Sequence, residues 1–228
     1  YPLRRQRQMC IRDSNKGDYL QYFEKKGIPI APTFIVRKDR DPKKILAEVK
    51  KRGWKSFVLK PYFAYANIAI ARINLDDKDP SKDVTKYLTK YKKFPAFVCQ
   101  EVMDGFAKFM EVKSFWLNGK FKYYIGMKAC DEVFSKSKIY STCSSKYGNV
   151  SPKILKLVKK MGKQVLEAYP KTYVKGKRTY PLFLRIDFGC CLGNTLDGES
   201  YFLNEIEYAG CGVFTEDNTV FKQWPAAY

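Results

Sequence analysis

The chain of 228 residues is long enough for one large domain or two small ones with a packed core. Hydrophobic residues make up 45% and charged residues 29%, the balance of a soluble globular protein. A formal net charge of +20 favours an anionic partner, and the absence of histidine excludes Ser-His-Asp and Cys-His nucleophiles, His-ligated zinc and imidazole switches.

The remaining chemistry rests on carboxylates, Lys, Arg, Tyr, Cys or a hard cation, and oxygen-ligated magnesium suits that inventory. Seven cysteines, an odd number that includes the adjacent Cys190 and Cys191, form no C-x-x-C and read as buried reduced thiols. No apolar run approaches the ~18–20 residues of a membrane helix, and no stretch has the order of a signal peptide. The expected location is cytoplasmic, with no membrane partner. The lysines are spread through most of the chain, so a solvated surface accounts for many of them.

In chain order, residues 1–14 (YPLRRQRQMCIRDS) show neither amphipathic period nor cap. They resemble translated sequencing-adapter read-through at the end of a fragmentary transcript; the alternative is a genuine disordered basic arm. Asn15 then caps a predicted helix over 15–26, with Gly27 as its stop. Two prolines keep 28–32 extended, and 33–36 reads as a short strand. Asp41-Pro42 opens a helix through Ile45, Leu46 and Val49 that Gly53 ends. Strands are predicted at 56–60 and 68–73, followed by a helix capped by Asp79 or Ser81, then a buried strand at 96–100. Asn118-Gly119 predicts a hairpin between strands 110–117 and 120–128. Ser151-Pro152 opens the longest helix, with apolar residues at helical spacing from Ile154 to Leu166. Strands at 182–188 and 200–206 close the sequence. The order is α+β, without the steady alternation of a Rossmann sheet. The expected division is an arm at 1–14, a first lobe at 15–100 and a second at 101–228.

The last two strands carry the most informative pattern. Strand alternation puts Arg185 and Asp187 on one face, and Glu205 and Glu207 on one face. If the strands pair, three carboxylates and an arginine converge, and a cation among the carboxylates relieves their repulsion. The plainer reading is a solvated strand face with cross-strand ion pairs. Upstream, Lys60 ends a buried strand, where an ammonium can hold a phosphate as a point charge. The segment Gln100-Glu101-Val102-Met103-Asp104-Gly105 leaves a strand for a turn and can offer backbone groups to an adenine edge.

Arg-x-Asp-Phe followed by Asn-Glu-Ile-Glu, after a strand Lys-Pro and a Gln-Glu hinge, resembles the ATP-grasp superfamily, D-alanine–D-alanine ligases and other carboxylate–amine ligases above all. The resemblance covers 15 to about 214. It implies an α+β ATP-grasp fold whose two lobes hold the nucleotide between them, and a further N-terminal domain that is missing here, so that the chain is a fragment. It implies ATP and two Mg²⁺ ions as cofactors. Lys16 matches the first ATP lysine and Lys60 the lysine for the α- and β-phosphates. Glu101 and Met103 match the adenine hinge, Asp104 is the ribose candidate, and Lys128 resembles a later phosphate lysine. Asp187, Glu205 and Glu207 fall on the metal ligands, the last in place of a common Asn, and Arg185 on the arginine that steadies the reacting intermediate. One departure concerns the loop after Lys60: family members carry a glycine-rich loop there, whereas 62–67 is Tyr-Phe-Ala-Tyr-Ala-Asn, so tight backbone approach to phosphates is in doubt and its aromatic residues become lid candidates.

The implied activity is a Mg-ATP-dependent ligase joining a small carboxylate to an amine or thiol through an acyl phosphate. A kinase acting on a hydroxyl of an anionic polyol would use the same ATP site. A non-enzymatic nucleic-acid-binding module fits the charge, yet no motif for it is visible, and nucleic acid is not the expected partner. The segment 130–150, rich in Ser and Lys, takes no assigned role.

Overall fold

The computed structural model describes residues 16–63, 69–128, 146–170, 172–174, 176–194 and 196–207. The Asn15 cap, the arm at 1–14, residues 64–67 of the glycine-free loop and most of 130–150 lie outside them. The chain forms two compact units, whose described parts are 16–21 with 31–102, and 22–30 with 103–207. The first division falls inside helix α1 (Lys16–Lys25).

In the first unit, β1 (Thr33–Val36), β2 (Ser56–Pro61), β3 (Ala71–Asn74) and β4 (Phe97–Glu101) make an antiparallel sheet in the order β1-β4-β2-β3. Helix α2 (Pro42–Lys51) starts where expected: the Asp41 side chain accepts from the Lys43 N–H, and Pro42 occupies the first turn, where its missing N–H costs nothing. Helix α3 (Pro80–Lys90) begins the same way, which settles its cap on Asp79, since Asp79 accepts from the Lys82 N–H. Strand alternation sends Phe57, Leu59, Phe97 and Cys99 to one face, where they join Ile45, Val49, Val84 and Leu88 of the helices in one core. Fully buried Phe or Leu side chains contribute roughly 1.5–3 kcal/mol each. Strand β3 falls at Ala71–Asn74 rather than 68–73; residue 68 lies outside the described residues.

The second unit is built on a five-stranded antiparallel sheet in the order β11-β10-β5-β6-β7. Its strands are β5 (Glu111–Leu117), β6 (Lys120–Lys128), β7 (Lys146–Gly148), β10 (Phe183–Cys190) and β11 (Tyr201–Glu207). The β5–β6 hairpin turns at Asn118 and Gly119, with φ of 47° and 74°, the positive pair a tight two-residue turn requires. The long helix α5 (Pro152–Ala168) has Ser151 as its cap and buries Val158, Met161, Val165 and Leu166. Its Gly162 lies so close to Trp116 of β5 that a Cβ there would stand 2.2 Å from the indole. Residues 22–30 join this unit through specific bonds. Tyr22 Oη donates to the Ala168 carbonyl at 2.7 Å, Leu203 N–H donates to the Pro29 carbonyl at 2.8 Å, and Ile30 bridges Leu203 in parallel.

Four short elements were not expected from the sequence: the one-turn helix α4 (Gly105–Lys108), strand β7, and the two strands of a separate hairpin, β8 (Thr172–Val174) and β9 (Lys177–Thr179). Each is three or four residues long, too short to display a period. Among the described residues no helix is long and apolar enough to cross a membrane, and the described cysteines, Cys99, Cys190 and Cys191, are buried free thiols.

Candidate functional site

The other face of the first unit's sheet carries polar groups beside an apolar cluster. Because Phe57 and Leu59 point into the core, Lys60 points the other way, and the registers Val58↔Gln100 and Thr33↔Gln100 bring Gln100 and Thr33 to the same face. There Lys60 Nζ donates to Gln100 Oε1 at 2.9 Å, Gln100 Nε2 donates to Thr33 Oγ1 at 3.0 Å, and Thr33 Oγ1 donates to the Ala31 carbonyl at 2.7 Å. Gln100 and Thr33 are both buried. Beside them Ile35, Ala96, Val98 and Tyr62 pack together.

Tyr62, the first residue of the glycine-free loop, is 2% exposed and accepts from Arg37 at 2.9 Å, so it anchors the loop and does not serve as a lid. Phe63, 38% exposed, is the loop's outward aromatic among the described residues. Lys16 is the first described residue of α1 and is partly buried.

The chain passes from one unit to the other between Val102 and Met103, inside the expected adenine hinge. Glu101 closes β4, its N–H donating to the Pro32 carbonyl at 2.9 Å. Met103 is buried and its carbonyl accepts from Phe106 N–H at 3.2 Å, while Asp104 is exposed and precedes α4 without capping it. Lys128, also partly buried, ends β6 opposite Lys146 of β7. Lys128 is not among the groups that gather on β10.

On β10, antiparallel pairing sets Asp187 against Glu205 of β11 and Arg185 against Glu207, so the four side chains expected to converge do share one face. Strand β5 adds what sequence reading missed, because Asp187 also stands opposite Lys113. Arg185 grips Asp187 with Nε on Oδ1 and Nη2 on Oδ2, each at 2.8 Å, and reaches Glu207 at 3.0 Å. Lys113 Nζ lies 2.8 Å from Asp187 and 3.0 Å from Glu111. A bulge after Asp187, where the register steps from Glu205 to Leu203, leaves Asn204 to donate to Glu111 at 2.8 Å. The signals for the missed residues were present: Glu111-Val112-Lys113 alternates as Arg185-Ile186-Asp187 does, and Asn204 opens the Asn-Glu-Ile-Glu run.

Burial makes these contacts costly to disturb. Asp187 is wholly buried, and Arg185, Lys113 and Glu111 are less than a tenth exposed. Burial alone would raise the Asp187 pKa, but Lys113 and Arg185 outweigh it and hold the carboxyl below its ordinary value. Lys113 is likewise pushed down by burial and raised further by Asp187 and Glu111, so it stays charged. Glu207 goes the other way: burial first, then Glu205 and Asp187, raise its pKa against the pull of Arg185. Two cations thus face four carboxylates. Among the described residues no three acidic or thiol side chains stand arranged as a metal cage, so Asp187, Glu205 and Glu207 share a face without forming a preformed cation site.

No family model matches the chain, and no curated protein matches it. Solved structures do. D-cycloserine synthetase DcsG matches at 13% identity and a TM-score of 0.65, over 87% of this chain and 63% of its own. The D-alanine–D-alanine ligase from Bacillus anthracis, in a complex with ATP, matches at 15% identity and 0.58, over 86% and 55%. The ATP-grasp ligase PsnB, complexed with its minimal precursor, matches at 10% identity and 0.54, over 93% and 55%. The chain has an ATP-grasp fold. It spans between half and two thirds of the length of these structures. The α+β class and the ATP-grasp likeness expected from the sequence are therefore borne out, and the solved structures just named are of two ligases and a synthetase.

Proposed function

We propose that this ATP-grasp chain is the nucleotide-binding core of a Mg-ATP-dependent ligase that joins a small carboxylate to an amine or thiol through an acyl phosphate. The observation that carries the reading is the β10–β11–β5 face, where Arg185 and Lys113 meet Asp187, Glu111, Glu205 and Glu207 on a scaffold shared with ligases.

In this reading Lys60, Lys16 and Lys128 neutralise the nucleotide's phosphates. Backbone groups of Glu101 and Met103 read adenine, and Asp104 takes the ribose. The substrate carboxylate attacks the γ-phosphorus, the bond to the β-phosphate oxygen breaks, and ADP leaves. The amine or thiol then attacks the acyl carbon and expels phosphate. Arg185, held by Asp187 and Glu207, presents fixed positive charge to the oxygens on which charge develops, so its contribution is electrostatic and prepaid by the fold.

The donor chemistry supports magnesium. All four carboxylates are hard oxygen ligands, and the pKa of Glu207 is raised first by burial and then by its carboxylate neighbours Glu205 and Asp187, against the pull of Arg185 and Lys113. Glu205 and Glu207 would hold the ion together with substrate phosphates, and Asp187 would join them only at the expense of a contact to Lys113 or Arg185. Bound there, magnesium would neutralise charge on the transferring phosphoryl group.

The test is a thermal-shift titration with a non-hydrolysable ATP analogue, with and without Mg²⁺. The expected result is a rise in melting temperature that requires Mg²⁺ and disappears in Glu205→Gln. No shift at millimolar analogue would overturn the nucleotide reading. An ADP-release assay with amine, thiol and hydroxyl acceptors then separates ligase from kinase.

A further inference from the structure

Thr33 has no part in the reaction just described, yet it closes a chain of polar groups that begins at Lys60. That chain has a direction. The single hydroxyl proton of Thr33 goes to the Ala31 carbonyl, which leaves Oγ1 as an acceptor toward Gln100. Gln100 therefore turns its Nε2 to Thr33 and its Oε1 to Lys60. With the amide reversed, its two N–H donors would face an ammonium, and its oxygen would face a hydroxyl whose proton is already committed. The amide is thus held from both ends: Lys60 can only donate, and the Thr33 hydroxyl, its proton committed to Ala31, can only accept. Gln100 is 5% exposed and Thr33 8%, so water is poorly placed to substitute for either contact.

We propose that Thr33, acting through Gln100, is a positioning residue that fixes where the Lys60 ammonium stands. Its effect on nucleotide binding rests on the ATP reading above; its effect on Lys60 does not. Removing the Thr33 hydroxyl takes away the acceptor at the far end of the amide, so Gln100 is held from the Lys60 side only and can swing, carrying its Oε1 and the ammonium bonded to it. A glutamate at 100 would present oxygen at both ends, and the order imposed by Thr33 would cease to matter.

The experiment uses the full chain carrying ζ-¹⁵N-lysine, with the Lys60 resonance assigned by its loss in Lys60→Arg. Thr33→Val should shift that resonance, and Thr33→Ser should leave it in place. Thr33→Val made on top of Gln100→Glu should produce no further shift. Titration with a non-hydrolysable ATP analogue should weaken about three- to tenfold in Thr33→Val and recover in Thr33→Ser, the size expected for one hydrogen bond. An unmoved Lys60 resonance in Thr33→Val overturns the proposal, as does a Thr33→Ser variant that behaves like Thr33→Val, since that would make the role one of packing. If Gln100→Glu fails to fold, the valine and serine variants decide alone. A chain that binds no analogue but whose Lys60 resonance follows Thr33 keeps the positioning role and overturns the nucleotide reading instead.

Discussion

The two units solve the same problem with different materials. Each has an antiparallel sheet, and in each the candidate polar groups stand beside an apolar cluster: Ile35, Tyr62, Ala96 and Val98 in the first unit, Phe115, Tyr123 and Ile125 in the second. In the first unit the cation Lys60 donates to a neutral amide, which donates in turn to a hydroxyl. In the second, Lys113 and Arg185 are held by buried carboxylates, and the cluster is coupled through Asp187. The neutral bond between amide and hydroxyl fixes direction at small energetic stake, typically ~1 kcal/mol, and the ammonium–amide bond adds about 1.5–3 kcal/mol. Buried ion pairs place charge firmly but make every member depend on its partners, because a deserted charge costs far more than the pair contributes. The difference implies that the first site tolerates substitution with loss of geometry, whereas the second loses stability and geometry together.

The largest effect should come from breaking the charged site. Asp187→Asn is expected to abolish Mg-dependent turnover and to destabilise the second unit by about 3–5 kcal/mol, since Lys113 and Arg185 lose their shared counter-charge. Denaturant unfolding and ADP release read the two consequences. Glu205→Gln sharpens the separation: turnover should vanish with a smaller stability loss, because Glu205 is only partly buried. Full turnover in that variant would remove Glu205 from the metal assignment.

Lys113→Met should destabilise by a similar ~3–5 kcal/mol, and adding Asp187→Leu should recover part of the loss without restoring activity, because a matched apolar pair leaves no uncompensated charge between those two positions. A double variant no more stable than Lys113→Met alone would mean that Arg185 dominates the cluster. Gly162→Ala tests the opposite face of the same sheet. Its new methyl would press on Trp116, at a cost of ~1–3 kcal/mol by overpacking. Thr33→Val in the first unit should cost about 1 kcal/mol, and unfolding that matches the Asp187→Asn loss would erase the contrast between the units. The smallest change is expected at Lys153→Ala. Its pair with Glu199 is exposed, with side chains 75% and 57% accessible, and within ~1 kcal/mol is all such pairs contribute.

How much of this was legible in the sequence depended on how local the signal was. Asp41-Pro42 and Ser151-Pro152 declare helix starts because the cap and the first turn lie within four residues, whereas the choice between Asp79 and Ser81 was settled only by the bond from Lys82 N–H to Asp79. Asn118-Gly119 declares a hairpin because those two residues tolerate positive φ. The alternation of Arg185 with Asp187 and of Glu205 with Glu207 declares a shared face because side chains on a strand repeat every two residues. Such rules need no partner strand, and they carried the α+β class, most elements and the outline of the charged face.

Tertiary structure decided what each of those side chains meets. Lys113 looked like one lysine among many until pairing of β5 with β10 set it opposite Asp187. Asn204 became a partner of Glu111 only through the bulge beyond Asp187, a slip in pairing that no single strand reveals. Tyr62 read as a lid aromatic and proved to be a buried anchor, because Arg37 and Ile35 reach it from elsewhere in the fold. Thr33 and Gln100 are 67 residues apart, and only the β1–β4 register joins them into the chain that ends at Lys60. Local periodicity determines which way a side chain points; strand pairing, whose energy is shared between distant segments, determines what it finds there.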